Sequence, residues 1–277
     1  MGPIAEISAC EKAQRYVTSV LRRIPSFESE VVSVIIFGSY AKDDLSESSD
    51  VDLLVILKDS TPEEKVIELT NMVKALEMEY GFAWTGRSFV EGILRALSLQ
   101  TGMFASHFVC RESSFIQLDF ARIFHTDRFL TGLIAPKRIV LGGVLCHART
   151  LYGKDLLSQI TPPNASFLDI LGSLVMNLLL AMGAVFVTPF DPAKGVRFSI
   201  QAVKWSVFSA YYFLYGKSPS LTQLGSNFLR ESIIYPQITM MIDLRKHPTV
   251  SKKFTFIAPV AVTLIHLLSM KAKSGRI

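Results

Sequence analysis

The chain has 277 residues, 49% of them hydrophobic and 19% charged, and a formal net charge of +5. That length suffices for one large or two modest domains, and the apolar content excludes a disordered chain. Charge is unevenly divided: residues 1–155 hold 17 Lys and Arg against 20 Asp and Glu, whereas residues 156–277 hold 12 against 4.

The N-terminal elements follow from periodicity and punctuation. Residues 8–24 place Ala13, Tyr16, Val17, Val20, Leu21 and Ile24 on one helical stripe, with Arg22 and Arg23 in the last turn and Pro25 as the stop. Val31–Phe37 is an apolar, β-branched run that reads as a buried strand. Gly38 follows where a tight turn is expected, and Ser39 sits where a short helix begins. Backbone N–H groups at such a turn favour an anion, and a triphosphate fits that description. A second strand is expected from Asp50 to Leu57. Because side chains alternate along a strand, Asp50 and Asp52 share a face, about 6.5–7 Å apart. Two carboxylates that close repel unless a cation lies between them, and a hard ion such as Mg²⁺ takes oxygen ligands together with substrate phosphates.

Phe37-Gly38-Ser39, ten intervening residues and Asp50-Val51-Asp52-Leu53 together resemble the signature of the nucleotidyltransferase superfamily, which includes DNA polymerase β and the aminoglycoside and minimal nucleotidyltransferases. The direct match covers about twenty residues, and Ser49 also fits it. The resemblance implies transfer of a nucleoside monophosphate from an NTP, expected to be ATP, to a hydroxyl acceptor with release of pyrophosphate. Gly38 and Ser39 would hold the β- and γ-phosphates, with Lys42 assisting. Asp50 and Asp52 would hold Mg²⁺ or Mn²⁺ ions. The acceptor stays open among a small hydroxylated molecule, a protein side chain and an RNA end.

Further along, Thr61-Pro62-Glu63-Glu64 reads as a helix start with Thr61 as the cap, the helix running to about Tyr80 and ending at Gly81. Ser88-Phe89-Val90-Glu91 reads as a capping box opening a helix to about Gln100, which gives Glu91 a structural task. Residues 106–110 and 115–120 are both strand candidates. The superfamily carries a third carboxylate on a later strand, and two assignments stay open. If 115–120 is that strand, Asp119 is the third ligand. If 106–110 is, the third acid is missing, and His107 is either a substitute base or a satisfied core histidine. An incomplete site would make the chain a catalytically weak or inactive protein that binds nucleotide, RNA or a protein partner. Pro136 to Arg149 reads as a helix, and Arg149 to Gly153 as a strand and turn. The run Leu151-Tyr152-Gly153-Lys154-Asp155 resembles the close of the superfamily's domain.

Thr161-Pro162-Pro163-Asn164 marks a boundary. The expected architecture is an α/β (α+β) nucleotidyltransferase domain with a mixed sheet over residues 1–160, followed by an all-α, apolar, basic helical bundle over residues 161–277. Ile170 to Phe190 holds no charged residue and meets the length of a membrane span, and Phe254–Met270 is a second apolar run followed by Lys271, Lys273 and Arg276. Against membrane association stands a bundle whose central helices are buried all round, and this is the expected arrangement. Ser166 and Asp169 read as an aqueous helix cap, and residues 198–216 as a bundle helix carrying Lys204, a further candidate for phosphate. Cys10, Cys110 and Cys146 are scattered without metal-ligand spacing, and there is no signal-peptide pattern; a reducing, cytoplasmic setting is expected.

Overall fold

The structure is a computed structural model that describes residues 9–42, 51–82, 107–128, 131–132, 135–219, 234–246 and 251–275. The chain forms two compact units. Residues 1–127 and 147–161 make the first, and residues 128–146 and 162–277 the second.

The first unit is built on helix α1 (Ala9–Arg23), strand β1 (Val31–Phe37), the single turn α2 (Gly38–Ala41), β2 (Asp52–Leu57), α3 (Glu63–Glu79), β3 (His107–Arg111), the short helices α4 (Glu112–Ile116) and α5 (Phe120–Phe124), and β4 (Arg149–Gly153). The four strands form one mixed sheet in the order β3-β2-β1-β4. β1 is antiparallel to both neighbours, and β2 is parallel to β3. Alternation divides the sheet residues cleanly. Val34, Ile36, Leu53, Val55, Leu57 and Val109 pack with Tyr16, Val17 and Val20 of α1 and Leu69, Val73 and Leu76 of α3. Phe37, Asp52, Leu54 and Phe108 therefore point to the opposite face. There Phe108 meets Phe37 at 6.3 Å and Phe124 at 4.9 Å between ring centroids, so α5 covers part of that face. The Arg111 guanidinium donates to the carbonyls of Asp59 at 2.7 Å and Thr61 at 2.9 Å, closing the loop between β2 and α3.

Two sequence expectations change. Helix α3 begins one residue later than expected: Pro62 is its N-cap, and the Thr61 hydroxyl is buried without a hydrogen-bond partner. Pro62 holds an extended ψ of 146°, and Thr61, preceding a proline, is biased toward the same conformation. The segment 115–120 is not a strand. It ends α4, turns through Leu118 at φ 52°, and begins α5 with Asp119 as the N-cap. The alternation of Ile116, Leu118 and Phe120 imitated a strand, but the local hydrogen bond from the Arg122 N–H to Asp119 decides for a helix start. The expected helix at residues 88–100 lies outside the described residues.

The second unit contains α6 (Lys137–Leu145), α7 (Phe167–Val187), α8 (Pro192–Tyr215), α9 (Tyr235–Lys246) and α10 (Lys252–Lys273). α7, α8 and α10 pack against one another, and α6 lies against α7 and α8. Ile139 of α6 joins Ile170, Tyr212 and Phe213 in one cluster, which explains why residues 128–146 group with this unit. The approach of α6 needs Gly142, because a Cβ there would occupy the Tyr212 ring. Ser166 caps α7 and Asp169 completes the capping box, as the sequence indicates.

Two apolar helices long enough to cross a membrane are found among the described residues, α7 and α10, each with 44% of its most apolar window buried. The expectation that α7 is buried all round is not met, since one face packs on α8 and α10 and the other is exposed. The packed face holds the helix's polar side chains. His266 of α10 is fully buried, with Nδ1 2.8 Å from the Val262 carbonyl and Nε2 3.1 Å from the Ser173 hydroxyl, which also accepts from Asn177 at 3.0 Å. A carbonyl only accepts, so Nδ1 carries the proton and the neutral ring accepts from Ser173 at Nε2. Burial lowers His266 from 6.5 to about 4. Between those values the unfolded chain binds a proton that the folded bundle refuses, so stability is complete above the unfolded pKa and falls on acidification. Urea denaturation should show a loss from this group of about 2–3 kcal/mol between pH 7 and pH 4.5. His266→Gln should flatten the pH dependence over that interval.

Candidate functional site

The site forms where β1 ends and β2 begins. Antiparallel pairing sets Phe37 opposite Asp52, so the residue after Phe37 lies beside the Asp52 side chain. That residue is Gly38, with φ +72°, a conformation that costs an L side chain roughly 1–2 kcal/mol. A Cβ on Gly38 would overlap the Asp52 carboxylate. Glycine is thus required twice, once for the turn and once to leave room for the acid. Ser39 follows in α2, and Lys42 closes that turn with its N–H 3.3 Å from the Ser39 carbonyl. Arg149 of β4 reaches across β1 and donates to the Tyr40 carbonyl at 3.4 Å. The sequence reading did not assign Arg149 to the site, because only the β1–β4 pairing brings it to the turn.

Of the expected site residues, Gly38, Ser39, Lys42 and Asp52 gather at this turn. Asp50 lies outside the described residues. Asp119 does not stand on a strand: its carboxylate accepts from the Arg122 N–H at 3.2 Å and lies 3.4 Å from the Arg122 Nε. Among the described residues, no group of three or more His, Cys, Asp or Glu side chains is arranged to hold a metal ion.

The third strand beside β2 is His107–Arg111, the first of the two candidate segments. Its described residues on the Asp52 face are Phe108 and Cys110, neither of them an acid. Burial pushes the Cys110 thiol up to about 12, which leaves it an inert apolar group. His107 pairs in register with Leu53 and so faces α3, away from Asp52. Its Nδ1 lies 2.7 Å from the Glu77 carboxylate without hydrogen-bond alignment. His107 therefore lies on the core face of β3, away from Asp52, and is not placed to act there as a substitute base. Tyr16 of α1 is fully buried on the same side of the sheet. Burial raises its phenol first, and the charges of Glu77 and Asp52 raise it further, so it stays protonated beneath the site.

Gly38→Ala should lower stability by about 2–4 kcal/mol, from the positive φ and the displaced carboxylate together. Chemical denaturation measures the loss. Ser39→Ala, which keeps the backbone and removes only the hydroxyl, should change stability by less than about 1 kcal/mol.

A family model described as a nucleotidyltransferase domain matches residues 18–89. Comparison with curated protein sequences gives no match. Among solved structures, spectinomycin adenyltransferase from Enterococcus faecialis, determined with ATP and spectinomycin, is similar with a TM-score of 0.52 and 11% identity. That likeness covers 94% of this chain and 99% of the other. The glycine turn and Asp52 lie within the matched residues, and the mixed sheet followed by helices is the arrangement expected from the sequence. Residues 18–89 thus resemble a nucleotidyltransferase domain, and the chain has the nucleotidyltransferase fold.

Proposed function

We propose that the protein transfers a nucleoside monophosphate from an NTP to a hydroxyl acceptor. The observation that carries this reading is the Asp52 carboxylate seated against the side-chain-free Gly38, at the start of a strand and beside a turn of backbone amides. Asp50, two residues earlier on the same expected strand, is proposed as its companion.

The two acids are hard oxygen donors and fit Mg²⁺ or Mn²⁺. When bound, such an ion neutralises charge that develops on the phosphates. The chain's own groups bind and orient. Backbone N–H groups around Gly38 and Ser39 face the β- and γ-phosphates, and Lys42 adds a positive charge at the end of the same turn. Arg149, held against the Tyr40 carbonyl, braces the turn from β4. The acceptor oxygen attacks the α-phosphorus, its O–P bond forms as the α–β bridging bond breaks, and pyrophosphate and a proton leave. Asp119 is engaged in capping α5, and the reaction is proposed without it.

ATP is the nucleotide to test first, because the similar spectinomycin adenyltransferase was determined with it. The proposed acceptor is a hydroxyl group on a small molecule, a protein side chain or an RNA end. A reducing, cytoplasmic setting fits three scattered cysteines, one of them, Cys110, buried and inert.

One observation favours a second reading, a nucleotide-binding protein without transferase activity. The described part of β3 offers Phe108 and Cys110 on the Asp52 face where the superfamily would place a third acid. Loss of such an acid weakens both metal binding and activation of the acceptor.

Pyrophosphate release from ATP and Mg²⁺ over a panel of hydroxyl acceptors separates the two. Transfer predicts release that Asp50→Asn with Asp52→Asn reduces by at least about 10³-fold and that EDTA abolishes. Nucleotide-induced thermal stabilisation without release under any acceptor would support the second reading.

A further inference from the structure

Helix α7 is apolar on both faces: Ile170, Met176, Leu180 and Val187 pack into the bundle. Its polar residues Ser173 and Asn177 face the bundle, bonded to each other and to His266. A second set of large apolar residues faces outward: Leu168 is 80% exposed, Leu179 53% and Phe186 70%, with Leu171, Val175 and Met182 between 40% and 48%. These six residues fall at intervals of three and four. At 100° per residue they occupy an arc of about 80° along about 27 Å of helix. A seam that narrow, with 3-4 spacing, has the form of a helix–helix contact.

We propose that the exposed seam of α7 is a self-association surface, on which a second copy of the chain packs antiparallel about a two-fold axis near residue 177. Two features select a second copy. The first is register. The exposed positions mirror one another about the helix centre, so antiparallel pairing sets Leu168 of one copy against Phe186 of the other, Leu171 against Met182, and Val175 against Leu179. Such self-complementarity is what an isologous contact requires. The second is size. Aromatic side chains bury about 150–250 Å² each, and the aliphatic residues of the seam lie toward the low end of that range, so six side chains exposed by 40% to 80% offer on the order of 600 Å² per copy. That is the upper end of what a monomer leaves uncovered, and it reaches the roughly 600–1,000 Å² per partner of a specific interface.

A lipid surface fits less well. From Phe167 to Phe190 there is no Lys or Arg, and the charge present, Asp169, is folded back into the N-terminal cap. Helices that lie on membranes carry a basic polar face beside the apolar one. Here the polar side chains are spent inside the bundle.

Sedimentation of the full-length protein over a range of concentrations tests the proposal. A concentration-dependent dimer is expected. Leu171→Lys and Met182→Glu should each raise the dimer dissociation constant by at least about tenfold, or 1.4 kcal/mol. The two positions are about 16 Å apart within one helix but opposed across the two-fold contact. Leu171→Lys combined with Met182→Glu should therefore restore association toward the wild-type level, which neither a folding defect nor a general loss of apolar area would do. Leu179→Ala, a milder change, should weaken the dimer while leaving the circular dichroism spectrum unaltered. A wild-type protein that stays monomeric throughout would overturn the proposal, and so would a charge-exchanged double variant no tighter than either single one. Monomeric protein that floats with phosphatidylcholine vesicles, and loses that binding in Leu179→Ala, would also overturn it and assign the seam to lipid.

Discussion

The contact on which the site depends is the one between Gly38 and Asp52. It couples backbone geometry to charge placement. The β1–β2 register sets Asp52 opposite Phe37, and the positive φ of Gly38 turns the chain away immediately afterwards. Because no side chain stands on Gly38, the carboxylate settles against the turn itself. A different register would turn Asp52 toward the α1/α3 core, where Leu53 and Ile36 now pack. The apolar alternation of β1 and β2 thus holds the acid on the correct face. Hydrophobic burial on one side of the sheet fixes a polar constellation on the other.

The two buried polar pairings perform a different task. His107 with Glu77 in the first unit, and His266 with Ser173 and Asn177 in the second, lie within otherwise apolar packing. A buried polar group without a partner costs more than the net gain of its hydrogen bond, so such groups penalise any packing that separates them. In the bundle the Ser173 hydroxyl donates to His266 Nε2 and accepts from the Asn177 amide, while the Asn177 Oδ1 is buried without a partner.

Much of the first unit was legible because its signals are local. Strand β1 starts and ends where the apolar run does, and Gly38 and Gly81 each mark their turn. The third strand was not legible. Residues 107–111 and 115–120 both alternate, and only the parallel pairing of His107–Arg111 with Leu53–Leu57 chooses between them. Asp119 illustrates the reason. An aspartate entering an apolar run is equally a strand-end ligand and a helix cap, and Arg122 three residues on decides for the cap. Arg149 was illegible for a related reason, since it reaches the turn through a pairing between segments more than a hundred residues apart.

The sequence by itself determined the glycine turn, the acid that follows it at a fixed interval, the helical nature of the C-terminal part and its uncharged stretch from Ile170 to Phe190. These depend on dihedral preference, alternation and composition, all readable within one or two turns of chain. The tertiary structure alone decided which face each acid and histidine occupies, which segment supplies the third strand, and which side of α7 is packed. Those outcomes depend on strand register and helix rotation, and both are set by the summed burial of residues distant in sequence.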